Sequence, residues 1–227
     1  MRIPITKYGL PQVIIYPGLC ILVMVIVALV FMNTVVVWLV EVLLAVVLIW
    51  LLSFFRDPKR DVPSGGNLIL SPADGVITDI EEVYESDFIV GRATKIGIFL
   101  SIFNVHINRV PCAARVEKIT YRKGFFKNAL NPISGKVNES NEIWMVRIVE
   151  PKDKFLVRQV SGAIARRIVC DVKEGQEFSG GVIFGMIKFG SRTELYLPAG
   201  SAAKIIAAKG DKVKAGLTVL AEYDRTG

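Results

Sequence analysis

The chain has one histidine and three cysteines among 227 residues. A lone histidine leaves no zinc ligand set, and Cys20, Cys112 and Cys170 form no C-x-x-C pair for metal or redox work. Isolated cysteines of this kind suit a reducing compartment. There is no Gly-x-Ser-x-Gly elbow, the signature of one large class of serine hydrolases. No amphipathic helical stretch recurs between strand-like runs, which argues against a doubly wound α/β fold. Nor is there a basic stripe interleaved with aromatics. The net charge of +7 is scattered, which disfavours nucleic acid as a partner and suits a surface held against anionic lipid.

Apolar residues are abundant, at 52%, and concentrated near the N-terminus. Val13–Met32 is free of charge, and Val35–Phe55 contains only Glu41. Each run would span about 30 Å as a helix, enough to cross the hydrocarbon of a bilayer. Only Asn33 and Thr34 separate them, so residues 1–55 are expected to form a transmembrane helical hairpin. Arg2 and Lys7 precede it; Arg56, Lys59 and Arg60 follow it. Basic residues at both ends place both ends, and the domain that follows, on the cytoplasmic side of the cell membrane. A re-entrant hairpin with a wetted Glu41 is the alternative.

Residues 56–66 read as a juxtamembrane linker, with Pro58 ending the helix and Gly65-Gly66 loosening the chain. Residues 67–227 read as short strands that alternate apolar with polar residues, as half-buried antiparallel strands do. The expected fold is mainly β, a β-sandwich or partly closed barrel. One internal echo stands out. Lys173–Gly181 and Ala208–Gly216 both carry glycine third, an apolar residue sixth and glycine ninth, which suggests paired half-units of one sandwich.

Three residue types could carry chemistry. Between two apolar runs lies Gly190-Ser191, either an ordinary hairpin turn or an exposed reactive hydroxyl on a tight bend. His106 is the one side chain that titrates near neutrality. Asp74, in Ser71-Pro72-Ala73-Asp74-Gly75, is either a turn residue or a carboxylate that orients an imidazole. Together Asp74, His106 and Ser191 offer acid, base and nucleophile.

Four ordered motifs resemble the phosphatidylserine decarboxylase family, most closely its short form, which includes archaetidylserine decarboxylases. They are Phe54-Phe55-Arg56-Asp57-Pro58-Lys59-Arg60, Ser71-Pro72-Ala73-Asp74-Gly75, Val105-His106-Ile107-Asn108-Arg109-Val110-Pro111 and Phe189-Gly190-Ser191-Arg192. The resemblance implies a proenzyme that cuts itself between Gly190 and Ser191. Ser191 becomes a pyruvoyl group, and the two resulting chains stay together as a heterodimer. The pyruvoyl ketone would condense with the amine of a serine phospholipid and withdraw electrons as carbon dioxide leaves, with no need for pyridoxal phosphate or a metal. The resemblance points to His106, held by Asp74, for proton transfer; Arg109, which departs from the pattern of the longer members, is expected with Asn108 to hold the substrate carboxylate or phosphate. Longer members carry a second histidine where Arg109 stands, and Leu-Gly-Ser-Thr where this chain has Phe-Gly-Ser-Arg. His106 is therefore open to a role in self-cleavage, in decarboxylation or in both.

Two other readings use the same residues. One is a membrane-anchored serine hydrolase that keeps Ser191 intact. The other is a non-catalytic lipoyl- or biotinyl-like carrier, suggested by the glycine-spaced turns and by Lys188 in Met186-Ile187-Lys188.

Overall fold

A computed structural model describes residues 5–31, 34–131, 133–163, 167–188, 190–201 and 203–224. Arg2, Met32, Asn33, Phe189 and Ala202, on which expectations bear, lie outside the described residues, as do 164–166. The chain divides into two compact units, Met1–Lys59 and Arg60–Gly227.

In the first unit, α1 spans Leu10–Val30 and α2 spans Val35–Phe54. Pro11 opens α1, where its missing N–H costs nothing. Thr34 caps α2 by accepting the Val37 N–H at 3.4 Å. Both helices are long and apolar enough to cross a membrane. Most of their large apolar side chains, Ile14, Leu29, Trp38 and Leu43 among them, point outward, an arrangement stable in lipid and costly in water. Between the helices, Cys20 Sγ donates to the Leu44 carbonyl at 3.6 Å. Glu41 Oε1 is buried with no hydrogen-bond partner among the described residues.

The second unit is built of strands. Before the centre of the chain come β1 (Leu68–Leu70), β2 (Gly75–Glu85), β3 (Gly91–Leu100), β4 (Ile107–Arg109) and β5 (Ala114–Arg122). A single helical turn, α3 (Ser134–Val137), precedes β6 (Ser140–Arg147), β7 (Lys154–Val160), β8 (Arg167–Cys170) and β9 (Glu177–Phe178). The remainder are β10 (Ile183–Lys188), β11 (Ser191–Pro198), β12 (Ala203–Ile205), β13 (Lys212–Val213) and β14 (Val219–Tyr223). The expected mainly-β architecture is present. The strands of only two or three residues escape a periodicity reading because they are shorter than the window it needs.

An eight-stranded sheet has the order β13-β2-β3-β11-β7-β6-β5-β9, with smaller sheets β4-β10-β8 and β1-β14-β12. Its pairs are antiparallel throughout. The large sheet is nearly palindromic. Each half runs from a two-residue edge strand through a long hairpin, β2-β3 or β5-β6, to a central strand. The long hairpins are bulged at matching places, Ile77/Asp79 and Val116/Lys118. The echoed turns lead into the two edge strands, and their glycines Gly175, Gly181, Gly210 and Gly216 all have positive φ. One face of the large sheet carries Ile77, Ile98, Leu195, Val157 and Ile143 into a core shared with Ile69, Leu220 and Phe184 of the smaller sheets.

One expectation is corrected. The strand before Gly190 and the strand after Ser191 do not form a hairpin: β10 pairs with β4 and β8, whereas β11 lies between β3 and β7. The chain crosses from one sheet to another at this point, so the two strands are not the arms of one turn.

Candidate active site

His106 and Gly190 lie 84 residues apart in sequence, and strand pairing closes that distance. Antiparallel β4 and β10 set Ile107 opposite Met186, and the Ile187 N–H reaches the His106 carbonyl at 3.2 Å. β10 then runs toward Gly190. The result is a direct contact: the Gly190 N–H donates to His106 Nε2 at 3.2 Å. On the far side of the ring, Nδ1 lies 3.0 Å from the Asn104 carbonyl oxygen. A carbonyl can only accept, so Nδ1 carries the proton and Nε2 presents its lone pair, an assignment that follows from the partners. The histidine is fully buried.

Ser191 is also fully buried, which corrects the expectation of an exposed serine on a bend. Its Oγ has no hydrogen-bond partner among the described residues. An orphaned buried hydroxyl is uncommon and calls for an explanation. Gly190, at φ +58°, adopts a backbone that other residues rarely tolerate, and its carbonyl packs against Gly162. A Cβ at Gly162 would overlap the Gly190 carbonyl oxygen. Gly162 is held in turn, because Ser161 donates through both N–H and Oγ to the Glu139 carbonyl and accepts from Asn138 Nδ2. Sequence reasoning missed Gly162. The available signal was a glycine just beyond an apolar strand, which marks close backbone approach but not what approaches.

Asp74 does not orient His106, and Asn108 and Arg109 pack into the strands around it. Asp74 is buried, but its carboxylate faces Arg60 Nη2 at 2.8 Å and the Ala215 N–H at 2.8 Å, while the Asn104 carbonyl occupies Nδ1 of His106. Arg60, counted above among the membrane-flanking cations, is thus committed to the β-rich unit. Asn108 is fully buried and donates to Thr193 Oγ1 at 3.1 Å and to the Pro72 carbonyl at 3.3 Å. Its own Oδ1 accepts from Gln159, which accepts from Asn141. Arg109 is buried too, with Nη1 donating to the Gly181 carbonyl at 2.9 Å. Asn108 and Arg109 therefore brace the strands around Ser191, and the Pro72 carbonyl joins both of them to the Asp74 loop.

Arg192 follows Ser191 and, by strand alternation, turns to the opposite face of the sheet. There it is fully buried and grips Asp79 with both carboxylate oxygens, at 2.6 and 2.7 Å, and Glu194 at 2.7 Å. Gly97 makes room for it, since a Cβ there would collide with the guanidinium. Arg158 bridges Glu194 to Glu142, and Tyr196 donates to Glu194 at 2.7 Å. Burial alone would raise Asp79, but the hydrogen bond and charge of Arg192, with help from Thr78 and Lys95, hold its carboxyl below the ordinary value. Burial, followed by the Glu194 charge, pushes the Tyr196 hydroxyl up, so it stays a donor.

Lys188 is buried in β10, and burial, with Arg167 beside it, pulls its ammonium below the usual lysine range. A carrier lysine must protrude to be modified, so this position does not serve that reading. Cys112 is buried and its thiol is pushed up to about 12, which makes it inert packing.

The sequence profile of the family described as phosphatidylserine decarboxylase matches residues 47–221. A phosphatidylserine decarboxylase proenzyme of Carboxydothermus hydrogenoformans is 45% identical over 172 residues, covering 76% of this chain and 79% of the relative. The protein of the same name from Rhodopirellula baltica is 45% identical over 190 residues, 81% of this chain and 75% of the relative. That from Desulfotalea psychrophila is 44% identical over 171 residues, 75% of this chain and 78% of the relative.

Proposed function

Because the chain belongs to the phosphatidylserine decarboxylase family, we propose that it is a pyruvoyl enzyme that matures by cutting its own Gly190–Ser191 bond and decarboxylates a serine phospholipid. The observation that carries the reading is the buried Ser191 Oγ, without a partner among the described residues, directly after a carbonyl wedged against Gly162 and an amide held by His106. An ordinary buried serine would satisfy its hydroxyl. One that must attack the adjacent carbonyl is better left unsatisfied.

In the proposed maturation, His106 Nε2 exchanges the Gly190 N–H for the Ser191 hydroxyl and takes its proton as Oγ attacks the Gly190 carbonyl carbon. The C–N bond breaks and an ester forms, with the proton passing to the Ser191 nitrogen. Loss of the Ser191 α-proton then breaks the Cβ–Oγ bond and frees the Gly190 carboxylate. Water hydrolyses the remaining enamine, releasing ammonia and leaving the ketone at position 191. A pyruvoyl group at that place supplies the electron sink for losing carbon dioxide. The chain's own residues then hold the site dry and keep a proton source beside it, through buried His106. β11 is flanked by β3 and β7, both N-terminal to the cut, so ladder bonds on both edges would keep the two chains together. The proposed layout is a membrane hairpin over 1–55, a linker over 56–66 and a decarboxylase domain over 67–227. Lys7, Arg56 and Lys59 favour the cytoplasmic side for that domain. Phosphatidylserine and archaetidylserine share the headgroup on which this reading rests.

The test is maturation itself. Purified protein should show a C-terminal fragment that starts at position 191 and resists N-terminal sequencing, and Ser191→Ala should remain one inactive chain. His106→Ala should slow cleavage by about 10²–10⁴-fold, the usual contribution of a positioned base. Activity from uncut Ser191→Ala would overturn the assignment.

A further inference from the structure

One loop lies against Gly190 and a second against Gly162, the residue packed on the Gly190 carbonyl, and both present apolar side chains to the outside. The first is the turn Ser101–Asn104, closed by the Asn104 N–H on the Ser101 carbonyl at 2.9 Å. Its Ile102 lies against Gly190, 3.6 Å from where a Cβ would stand. Its Asn104 carbonyl holds His106, and Phe103 at its tip is 69% exposed. The second is a compact loop whose neck joins Phe125 and Lys127 to Val137–Glu139 through backbone bonds and the Asn138 side chain. Buried Ala129 of that loop would lie 3.2 Å from a Cβ on Gly162, the residue against the Gly190 carbonyl. Phe125 is 67% exposed and Leu130 52%.

The charge on this second loop is one-sided. From Arg122 to Asn138 there are four basic residues, Arg122, Lys123, Lys127 and Lys136, and no acidic one. Arg122 is engaged by Asp87 and Glu142, whereas the three lysines are exposed. Exposed aromatic and aliphatic side chains set among lysines are what an anionic bilayer interface binds, because the rings enter the headgroup layer while the ammonium groups meet lipid phosphate. Asx-type bonds, from Leu130 N–H to Asn128 Oδ1 and from Ile133 N–H to Asn131 Oδ1, shape the loop and limit the ordering that binding requires.

We propose that these two loops are a bilayer-docking rim, which inserts Phe103, Phe125 and Leu130 into an anionic lipid surface so that a lipid headgroup reaches the Gly190–Ser191 site without leaving the membrane. The proposal rests on the decarboxylase reading for its substrate but not for its membrane contact. A second copy of the chain covering the same side chains is the competing occupant.

The experiment uses the full chain reconstituted in vesicles containing anionic lipid, with an environment-sensitive fluorophore on Leu130→Cys, on Phe103→Cys or, as a control, on Ile206→Cys. Ile206 is exposed but lies outside both loops. Lipids brominated along the acyl chain should quench the two rim labels and spare the control, in the wild-type background and with Ser191→Ala alike. That readout needs no catalysis, so it separates failure of the rim from failure of the decarboxylase reading. Phe125→Ser with Leu130→Ser should raise the ratio of KM for bilayer lipid to KM for monomeric short-chain lipid by about tenfold or more. Replacing Lys123, Lys127 and Lys136 by Gln should abolish the preference for anionic over neutral vesicles. Rim labels no better quenched than the control would overturn the proposal. So would a label response that follows protein density in place of lipid, or an unchanged KM ratio.

Discussion

The two faces of β11 solve opposite problems with neighbouring residues. On one face Ser191 is buried without a partner among the described residues, and Thr193 and Leu195 continue into a braced interior. On the other, Arg192, Glu194 and Tyr196 are equally buried but saturated with ion pairs and hydrogen bonds. Burial by itself therefore says nothing about function. What differs is satisfaction: the ionic face locks the strand, and the Ser191 face leaves one hydroxyl unsatisfied among the described residues. A locked strand is what allows an orphaned group to hold its position, since a loosely held one would relax to find a partner.

The comparison can be broken first from the ionic side. Arg192→Ala leaves Asp79 and Glu194 buried without their cation, and should cost about 3–5 kcal/mol in equilibrium unfolding, enough to leave much of the proenzyme uncut. Normal stability in that variant would mean that the network is solvated and that β11 is held by its ladder alone. A sharper cut comes from the other face. Gly162→Ala should slow appearance of the two chains by about a hundredfold, the usual cost of displacing reacting atoms by an ångström. Gly185→Ala is the control, because a Cβ there crowds the Val169 carbonyl instead of Gly190. If the control slows cleavage as much, crowding and not carbonyl placement is the cause.

The mildest effect is on pH. Asp79 is held below its ordinary value of 3.8 in the folded chain, so its ion pair contributes stability above that value. The contribution is lost as pH falls through the lower, folded value. Acid titration of unfolding should show this loss in the wild type and not in Asp79→Asn, which is already weaker at neutral pH. Identical acid slopes in the two proteins would place the acid-sensitive group elsewhere.

Much of this was legible in the chain. The apolar runs that became α1 and α2 need only length and composition to be seen, because a helix in lipid satisfies its backbone internally. The echoed glycines were legible because positive φ is required at fixed offsets, and all four adopt it. Gly190-Ser191 and His106 stood out as residue types whose chemistry is rare. Their surroundings were not legible. A Gly-Ser between two apolar runs reads as a hairpin, and nothing local reveals that the two strands join different sheets. Asn108 and Arg109 were legible as candidate substrate ligands, but short motifs record identity and not direction. Their side chains turn inward to Thr193 and to the Gly181 carbonyl.

By itself, the sequence determined the mainly-β unit, the two apolar helices and the membership of a decarboxylase family, since periodicity, length and ordered motifs are all properties of neighbouring residues. Only the tertiary structure decided which groups meet. The β4–β10 pairing brings His106 Nε2 to the Gly190 amide, and a missing Cβ at Gly162 admits the Gly190 carbonyl. The physical reason is that these contacts join residues tens of positions apart, where register and steric room are set by how sheets pack and no local pattern records them.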